Sequence, residues 1–589
     1  MMFLTSLFVL AAAQLPTAPD AARIADIAAA LPEKPAWTEA WPSANPGRAK
    51  ALLKTPIPDC TDEKYLLFTK TGDRDEYQKV YFGRMGNLRE LALMAKKTGE
   101  REYLDLVVKY LEAVCAEKAW TMPAHDSDLK VFNGEMVKID LGASHRVHDL
   151  ALVLCLLGDR LPAETVKRVR DEMERRVFAP YRRTAADIAD GKTCHGNWWF
   201  FGTSNWNAVC HSGVVRAALA VLESREDRAV FVEAAERGMR YFLTGFLSDG
   251  YCTEGGGYWD YGYGNFLDLA LAVRKASDGK VDLAQLPTAK KPMEYGFGYS
   301  LSGSVCPNYA DGGRSGASRR HLEVGAELWP EYRPQLDGQR PIRTYFPEAQ
   351  VYIGRSKSLA FSVKGGTNDE MHNHNDVGSW DLVACGLGVA GDPDDENYTA
   401  RTFSKDRYVS KVLNSYGHPV PVVAGQLQGT GRQFAAKTVS TSFTDGLDEL
   451  ELDLSGAYPV KPEKLLRKVT FDRANEKVVI RDTVTFAAPA AFESAINTYA
   501  DVEKGADPRF LVLAMKSKDG KQTVRLQVVV EAVGGDWALA EEVYENPKKR
   551  SPHRLAAKFA APVSEATVTW TFSLLNLSQP QQQKGIIEK

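Results

Sequence analysis

Val351-Tyr352-Ile353 and Leu359-Ala360-Phe361-Ser362-Val363 mark the place where the hydrophobic period of this chain changes. From about Arg343 onward the repeat is two, the period of a strand whose side chains point alternately to opposite faces. Lys468-Val469-Thr470-Phe471, Val478-Val479-Ile480-Arg481, Val524-Arg525-Leu526-Gln527-Val528 and Thr567-Val568-Thr569-Trp570-Thr571-Phe572 continue it, with turn residues such as Asp472-Arg473-Ala474-Asn475 between. Short strands separated by turns predict an antiparallel β-sandwich over 341–578. The Gln-rich stretch 579–589 reads as a frayed tail.

Upstream the period is helical. Leu88, Leu91, Leu93 and Met94, then Tyr103, Leu104, Val107, Val108, Leu111 and Val114, lie on helical stripes. Val147 to Leu157 is almost continuously apolar, Pro162 to Val177 is amphipathic, and Gly213 to Leu222 and Ala229 to Phe246 repeat the theme. Helical hairpins broken by loops rich in Gly, Trp and Asn predict an (α/α) toroid over 21–340, with an ordinary helical bundle as the alternative. The fold class expected is therefore multidomain α + β, the toroid first and the sandwich after it.

A chain of 589 residues is too long for one core. With 73 basic against 76 acidic residues its formal charge is -3, so no overall field attracts nucleic acid and any polyanion must meet a local basic cleft. Phe3 to Leu10 followed by Ala11-Ala12-Ala13 has the apolar core and small-residue exit of a signal peptide, assigned to 1–20, which predicts a secreted or periplasmic protein. No later run is long enough to span a bilayer. Eight cysteines without a Cys-x-x-Cys pair argue against a zinc ribbon; one or two disulfides are open, and most read as small buried hydrophobes.

Two of only ten histidines fall in His372-Asn373-His374-Asn375-Asp376-Val377-Gly378-Ser379. Clustered imidazoles and a carboxylate suit a divalent metal, and Asp392 in Gly391-Asp392-Pro393 with His418 in Asn414-Ser415-Tyr416-Gly417-His418-Pro419 could complete the set. The other reading is an Asx-rich loop with hydrogen-bonded histidines.

These three segments, with Asn397-Tyr398-Thr399, resemble the motifs of the heparinase II/III-like family of polysaccharide lyases. The resemblance covers roughly 187–423 and extends to the flanks in architecture only. It implies zinc, or another divalent metal such as manganese, on His374, Asp392 and His418, with His372 beside a substrate uronate. Two further clusters carry it: Gly202-Thr203-Ser204-Asn205-Trp206-Asn207-Ala208-Val209-Cys210-His211 and Asp249-Gly250-Tyr251-Cys252-Thr253-Glu254-Gly255-Gly256-Gly257-Tyr258-Trp259-Asp260-Tyr261. The family places an Asn or His in the first and a Tyr in the second, which implies Asn205 with Tyr258. Trp206 stands where some members have histidine, and His211 is its expected substitute.

The chemistry then follows. Taking the proton from uronate C5 builds negative charge next to a carboxylate, so that group must first be neutralised, by an amide, an imidazolium or an arginine. Arg314 in its glycine-rich loop could bind the carboxylate bidentately, or form an ordinary salt bridge. Tyr258 is the expected acid, with His372 or His211 as base for one uronate epimer and tyrosine in both roles for the other. Trp206, Asn207, Glu254 and Tyr261 are read as substrate contacts. The expected partner is an acidic polysaccharide such as a glycosaminoglycan or alginate. A hydrolase using Glu254 with Asp249 or Asp260, and a non-catalytic polysaccharide-binding protein, are the alternatives. Strict alternation would point His372 and His374 to one side, so their division of labour requires a loop or bulge there.

Overall fold

The computed structural model describes residues 15, 17–187, 194, 196–337, 340–393, 395–546 and 550–575. Most of the leader expected over 1–20, and the whole tail from 579, lie outside the described residues. The chain divides into two compact units, Met1–Gly245 with Tyr261–Lys290, and Phe246–Asp260 with Lys291–Lys589.

The first unit is helical. Asp75–Thr98 carries Asp75 and Glu76 in its first turn, Lys96 and Lys97 in its last, and ends on Gly99 at φ 77°, all of which complement the helix dipole and its carbonyl end. Asp140 caps Leu141–Leu157 by accepting the Ala143 amide at 2.8 Å. Neighbours pack in a series: Arg101–Ala116 on Asp75–Thr98, that helix on Leu141–Leu157, which meets Asn205–Val221, then Arg225–Leu243, then Ala21–Ala30. From Asn207 onward every residue of Asn205–Val221 is buried, so this helix has no polar face.

The second unit is mainly antiparallel β, with the short helices Pro292–Gly298, Arg319–Leu328 and Arg333–Asp337 ahead of its sheets. An eight-stranded sheet runs Asp501–Lys504, Phe510–Lys516, Thr523–Val533, Val563–Leu574, Lys477–Ala490, Lys464–Asp472, Leu447–Asp453, Lys437–Phe443. A five-stranded sheet runs Arg343–Phe346, Val351–Arg355, Leu359–Lys364, Trp380–Ala384, Leu387–Gly391. Phe361, Trp380, Phe471, Ile480, Trp570 and Phe572 share one core drawn from both sheets. In the eight-stranded sheet burial alternates as read, buried and half-exposed along Lys464–Asp472.

The five-stranded sheet departs from the alternation read in it: Val351–Arg355, Leu359–Lys364 and Trp380–Ala384 are buried at every position. Leu359, Phe361 and Val363 fill the core, while their neighbours face a polar layer of loops. There Ser362 meets the Tyr309 hydroxyl at 2.9 Å, Lys364 donates to Asp376 at 2.8 Å, and Asp381 accepts the Asn308 amide at 2.9 Å. This second face is the platform on which the candidate site is built.

All eight cysteines are free thiols. Among the described residues no helix is long and apolar enough to cross a membrane.

Candidate functional site

The loop from His372 leads into the strand Trp380–Ala384, and it turns at His372, whose φ is 56°. A non-glycine residue in this left-handed region breaks the strand repeat, and His372 and His374 reach different oxygens of one carboxylate, Oδ2 and Oδ1 of Asp311. The required interruption is thus a single strained residue.

His372 faces an acid/base cluster. Its Nδ1 lies 3.1 Å from Asp311 Oδ2 and 3.0 Å from the Tyr398 hydroxyl, and its ring stacks on Tyr258 with centroids 4.1 Å apart. Burial pushes the Asp311 carboxyl up, but hydrogen bonds from His372 and His374 and the charge of Arg407 outweigh it and hold the group well below the usual carboxylate range. An ionised Asp311 only accepts, so the proton of His372 sits on Nδ1 and the lone pair on Nε2. Burial and the Asp311 charge push the Tyr398 phenol far up, which keeps it protonated and donating to Asp311 at 3.0 Å. With that proton committed, the 2.7 Å bond between the two hydroxyls has Tyr258 as donor and Tyr398 as acceptor.

Glycines make this approach feasible. A Cβ on Gly255, which has φ 95°, would lie 2.8 Å from the Tyr309 carbonyl oxygen, and one on Gly257 would strike the Gly312 carbonyl. The turn bearing Asp311 and the turn leading from Glu254 to Tyr258 therefore touch backbone to backbone. Glu254 Oε2 ends 3.8 Å from His372 Nε2.

His374, Asp392 and His418 form the second centre, with one ligand atom of each within 4.8 Å of the others and all three buried. Their remaining polar atoms fit a cation: His374 Nδ1, Asp392 Oδ1 and His418 Nε2 are buried without a hydrogen-bond partner. The opposite atoms are engaged, His374 Nε2 with Asp311 Oδ1 at 2.9 Å and His418 Nδ1 with Asp392 Oδ2 at 2.9 Å, as expected of ligating imidazoles with outer hydrogen bonds. Burial pulls the His418 imidazole down, but the Asp392 charge wins and raises it.

Three residues read from the sequence take other places. His211 is fully buried; its Nε2 donates to the Phe200 carbonyl at 3.1 Å and its Nδ1 accepts from Tyr181 at 2.6 Å. Burial pushes it down to about 3, so it is a neutral packing residue and does not substitute for a catalytic histidine. Asn207 is also fully buried, its amide nitrogen clamped on the carbonyls of Phe200, Gly202 and Gly238 at 3.2, 2.8 and 3.0 Å, so its donors are used inside the fold. Arg314 pairs with buried Asp381 at 2.9 Å and also holds the Asp392 carbonyl, so it braces the loop that carries Asp392 and the ordinary salt-bridge alternative is what the fold uses.

The others lie in the helical unit. Asn205 opens its helix at 4% exposure, and a Cβ on Gly262 would sit 3.0 Å from its own Cβ. Half-buried Trp206 packs edge-on to His125 at 4.5 Å and against exposed Trp198 at 5.1 Å. The Tyr261 hydroxyl meets His145 Nε2 at 3.0 Å.

Asp311, Tyr398 and Arg407 were not picked out as site residues. Asp311 sits in Ala310-Asp311-Gly312-Gly313, a stretch that reads as a turn, and Tyr398 lies in Asn397-Tyr398-Thr399, where nothing in the sequence singles it out.

No protein-family model and no curated protein matches this chain. Solved structures do. A heparinase III gene product superposes with a TM-score of 0.62 at 12% identity, covering 89% of this chain and 88% of that one. The fold is that of heparinase III. A second heparinase III structure gives a TM-score of 0.62 at 13% identity over 90% of this chain and 89% of that one. The heparan sulfate lyase HepC from Pedobacter heparinus gives 0.58 at 13% over 93% and 86%. The glycosaminoglycan-lyase-like fold, helical hairpins and then an antiparallel sandwich, is thus shared along nearly the whole chain.

Proposed function

We propose that this protein is a polysaccharide lyase that cleaves beside a uronic acid by β-elimination. The observation that carries the reading is the Tyr258, Tyr398, His372, Asp311 cluster, in which a phenol donor and an imidazole with a directed lone pair lie stacked at 4.1 Å. An elimination needs a base at C5 and an acid at the C4 oxygen on nearby atoms. His372 Nε2 takes the C5 proton, the electron pair forms the C4–C5 double bond, the C4–O bond breaks, and the Tyr258 hydroxyl protonates the leaving oxygen. Tyr398 and Asp311 hold both groups in register. Asn205 is assigned to the uronate carboxylate, with Trp206, Glu254 and Tyr261 as sugar contacts. For the opposite C5 epimer Tyr258 serves as both base and acid.

His374, Asp392 and His418 are assigned to zinc, which when bound supplies a fixed charge that orders these loops. Manganese is the alternative metal. The substrate class is a glycosaminoglycan such as heparan, chondroitin or hyaluronan, or alginate, and with the N-terminal apolar run read as a leader the enzyme acts outside the cytoplasm.

Hydrolysis is disfavoured because both partners considered for Glu254 are engaged in local structure. Asp260 accepts from His321 at 2.7 Å and from the Ser318 amide at 2.7 Å, and Asp249 from the amides of Tyr251 and Glu348 at 3.0 and 3.1 Å. Digestion in heavy-oxygen water separates the two reactions. Elimination leaves the new ends unlabelled, and a labelled reducing end would establish hydrolysis instead.

A further inference from the structure

One carboxylate serves both centres. The Asp311 side chain is 1% exposed and receives four donors: His374 Nε2 at 2.9 Å and Arg407 Nη2 at 2.8 Å on Oδ1, His372 Nδ1 at 3.1 Å and Tyr398 Oη at 3.0 Å on Oδ2. A carboxylate offers about four lone-pair sites, so none is spare. It is also planar and rigid, so a rotation that follows His374 on one oxygen displaces the other from His372 and Tyr398. Arg407 ties the same loop by its backbone, donating from Nε to the Asn373 carbonyl at 3.0 Å and from Nη2 to the His372 carbonyl at 3.3 Å.

His374 transmits the state of the cation site. Its Nδ1 is buried without a hydrogen-bond partner, and a ligand atom of His374 lies within 4.8 Å of one from each of Asp392 and His418. A cation there fixes the remaining proton on Nε2, which must then donate to Asp311. With no cation, the hydrogen bond from Nε2 to Asp311 is the one side-chain hydrogen bond left to fix the His374 ring. His372, strained at φ 56°, is kept in place by its contacts, its carbonyl accepting from the Asp311 amide at 3.2 Å and from Arg407 Nη2 at 3.3 Å.

Resting on the lyase reading only for what His372 and Tyr258 do, we propose that Asp311 is a positioning residue that couples occupancy of the His374, Asp392, His418 site to the placement of His372 and Tyr398. The coupling is a free energy shared between two sites, so it runs in both directions. Metal tightens the acid/base pair, and a uronate held by that pair tightens the metal.

The experiment needs no turnover. His372 is 18% exposed in its side chain, whereas His374 and His418 are fully buried, so diethyl pyrocarbonate reports on His372 when its peptide is followed by mass spectrometry. In the wild-type protein, removing zinc changes the rate of His372 modification by roughly 5-fold or more, the lower end of typical coupling. In Asp311→Asn the rates with and without zinc coincide, zinc affinity measured by chelator competition falls roughly 10–100-fold, and kcat falls with KM nearly unchanged. Equal wild-type rates with and without zinc overturn the proposal, as does a difference of the same size surviving in Asp311→Asn. The wild-type comparison stands even if the variant fails to fold. A failure of the lyase reading shows elsewhere, as the absence of unsaturated product from every polymer, and leaves this readout intact.

Discussion

Tyr258 and His372 lie ring on ring, 4.1 Å between centroids and 19° from parallel, although 114 positions separate them in the sequence. The contact joins the first turn of a helix to a left-handed residue of a loop, and both polar groups reach the Tyr398 hydroxyl, the Tyr258 phenol at 2.7 Å and His372 Nδ1 at 3.0 Å.

Tyr258→Phe removes the hydroxyl and keeps the stacked ring. We expect kcat to fall by about 10²–10⁴-fold, the usual weight of a general acid, with thermal stability within about 0.5 kcal/mol of wild type. Steady-state rates of unsaturated-product formation beside a melting curve test this.

Tyr398→Phe is expected to lower kcat while leaving KM within about twofold. It removes the acceptor that orients the Tyr258 proton and a donor to Asp311, neither of which binds the sugar directly. A loss confined to KM would place Tyr398 among the binding residues instead.

Stripping the metal with a chelator should lower the melting temperature, and zinc should restore it. A ligand at 100 times its Kd stabilises the fold by about 2.7 kcal/mol. His418→Ala should abolish the zinc-dependent part. Because Asp392 raises the His418 pKa above its ordinary value, protons compete with the metal more strongly as pH falls, so measured zinc affinity should drop on acidification.

His211 gives a stability prediction with a definite sign. Its folded pKa is pushed down to about 3, while the unfolded value is near ~6.5. Above the unfolded value both states are neutral and nothing is lost; below it the unfolded chain binds the proton and the folded chain does not, so stability falls from about pH 6.5 toward the folded pKa at up to ~1.4 kcal/mol per unit. Denaturation midpoints between pH 7 and 5 should show a shallower acid loss in His211→Gln, whose activity per folded molecule should be close to wild type.

Much of the architecture was legible because its period is strong. The change from helical to alternating repeat near Arg343 matches the first strand, Arg343–Phe346, and the apolar run Val147 to Leu157 ends where its helix ends. His374, Asp392 and His418 were read as a set from scattered motifs, and they do converge. Asp311 was not legible. It lies 61 positions from His372 and 96 from Arg407, in a glycine turn whose sequence says only that the chain reverses. His211 and Asn207 misled for the opposite reason: a polar residue inside a helix buried on every side looks, in sequence, like one aimed at a ligand. The both-sided burial of Leu359–Lys364 depends on loops far away in sequence, such as the one carrying Tyr309, which no local alternation reveals.

The most direct test of the account is ultraviolet absorbance while the zinc-loaded protein acts on a panel of uronate polymers comprising heparan sulfate, chondroitin, hyaluronan and alginate. The account predicts that at least one polymer gives the rising absorbance of a C4–C5 double bond conjugated to the uronate carboxylate, and that Tyr258→Phe abolishes the rise. A flat trace on every polymer from folded, metal-loaded protein would contradict it.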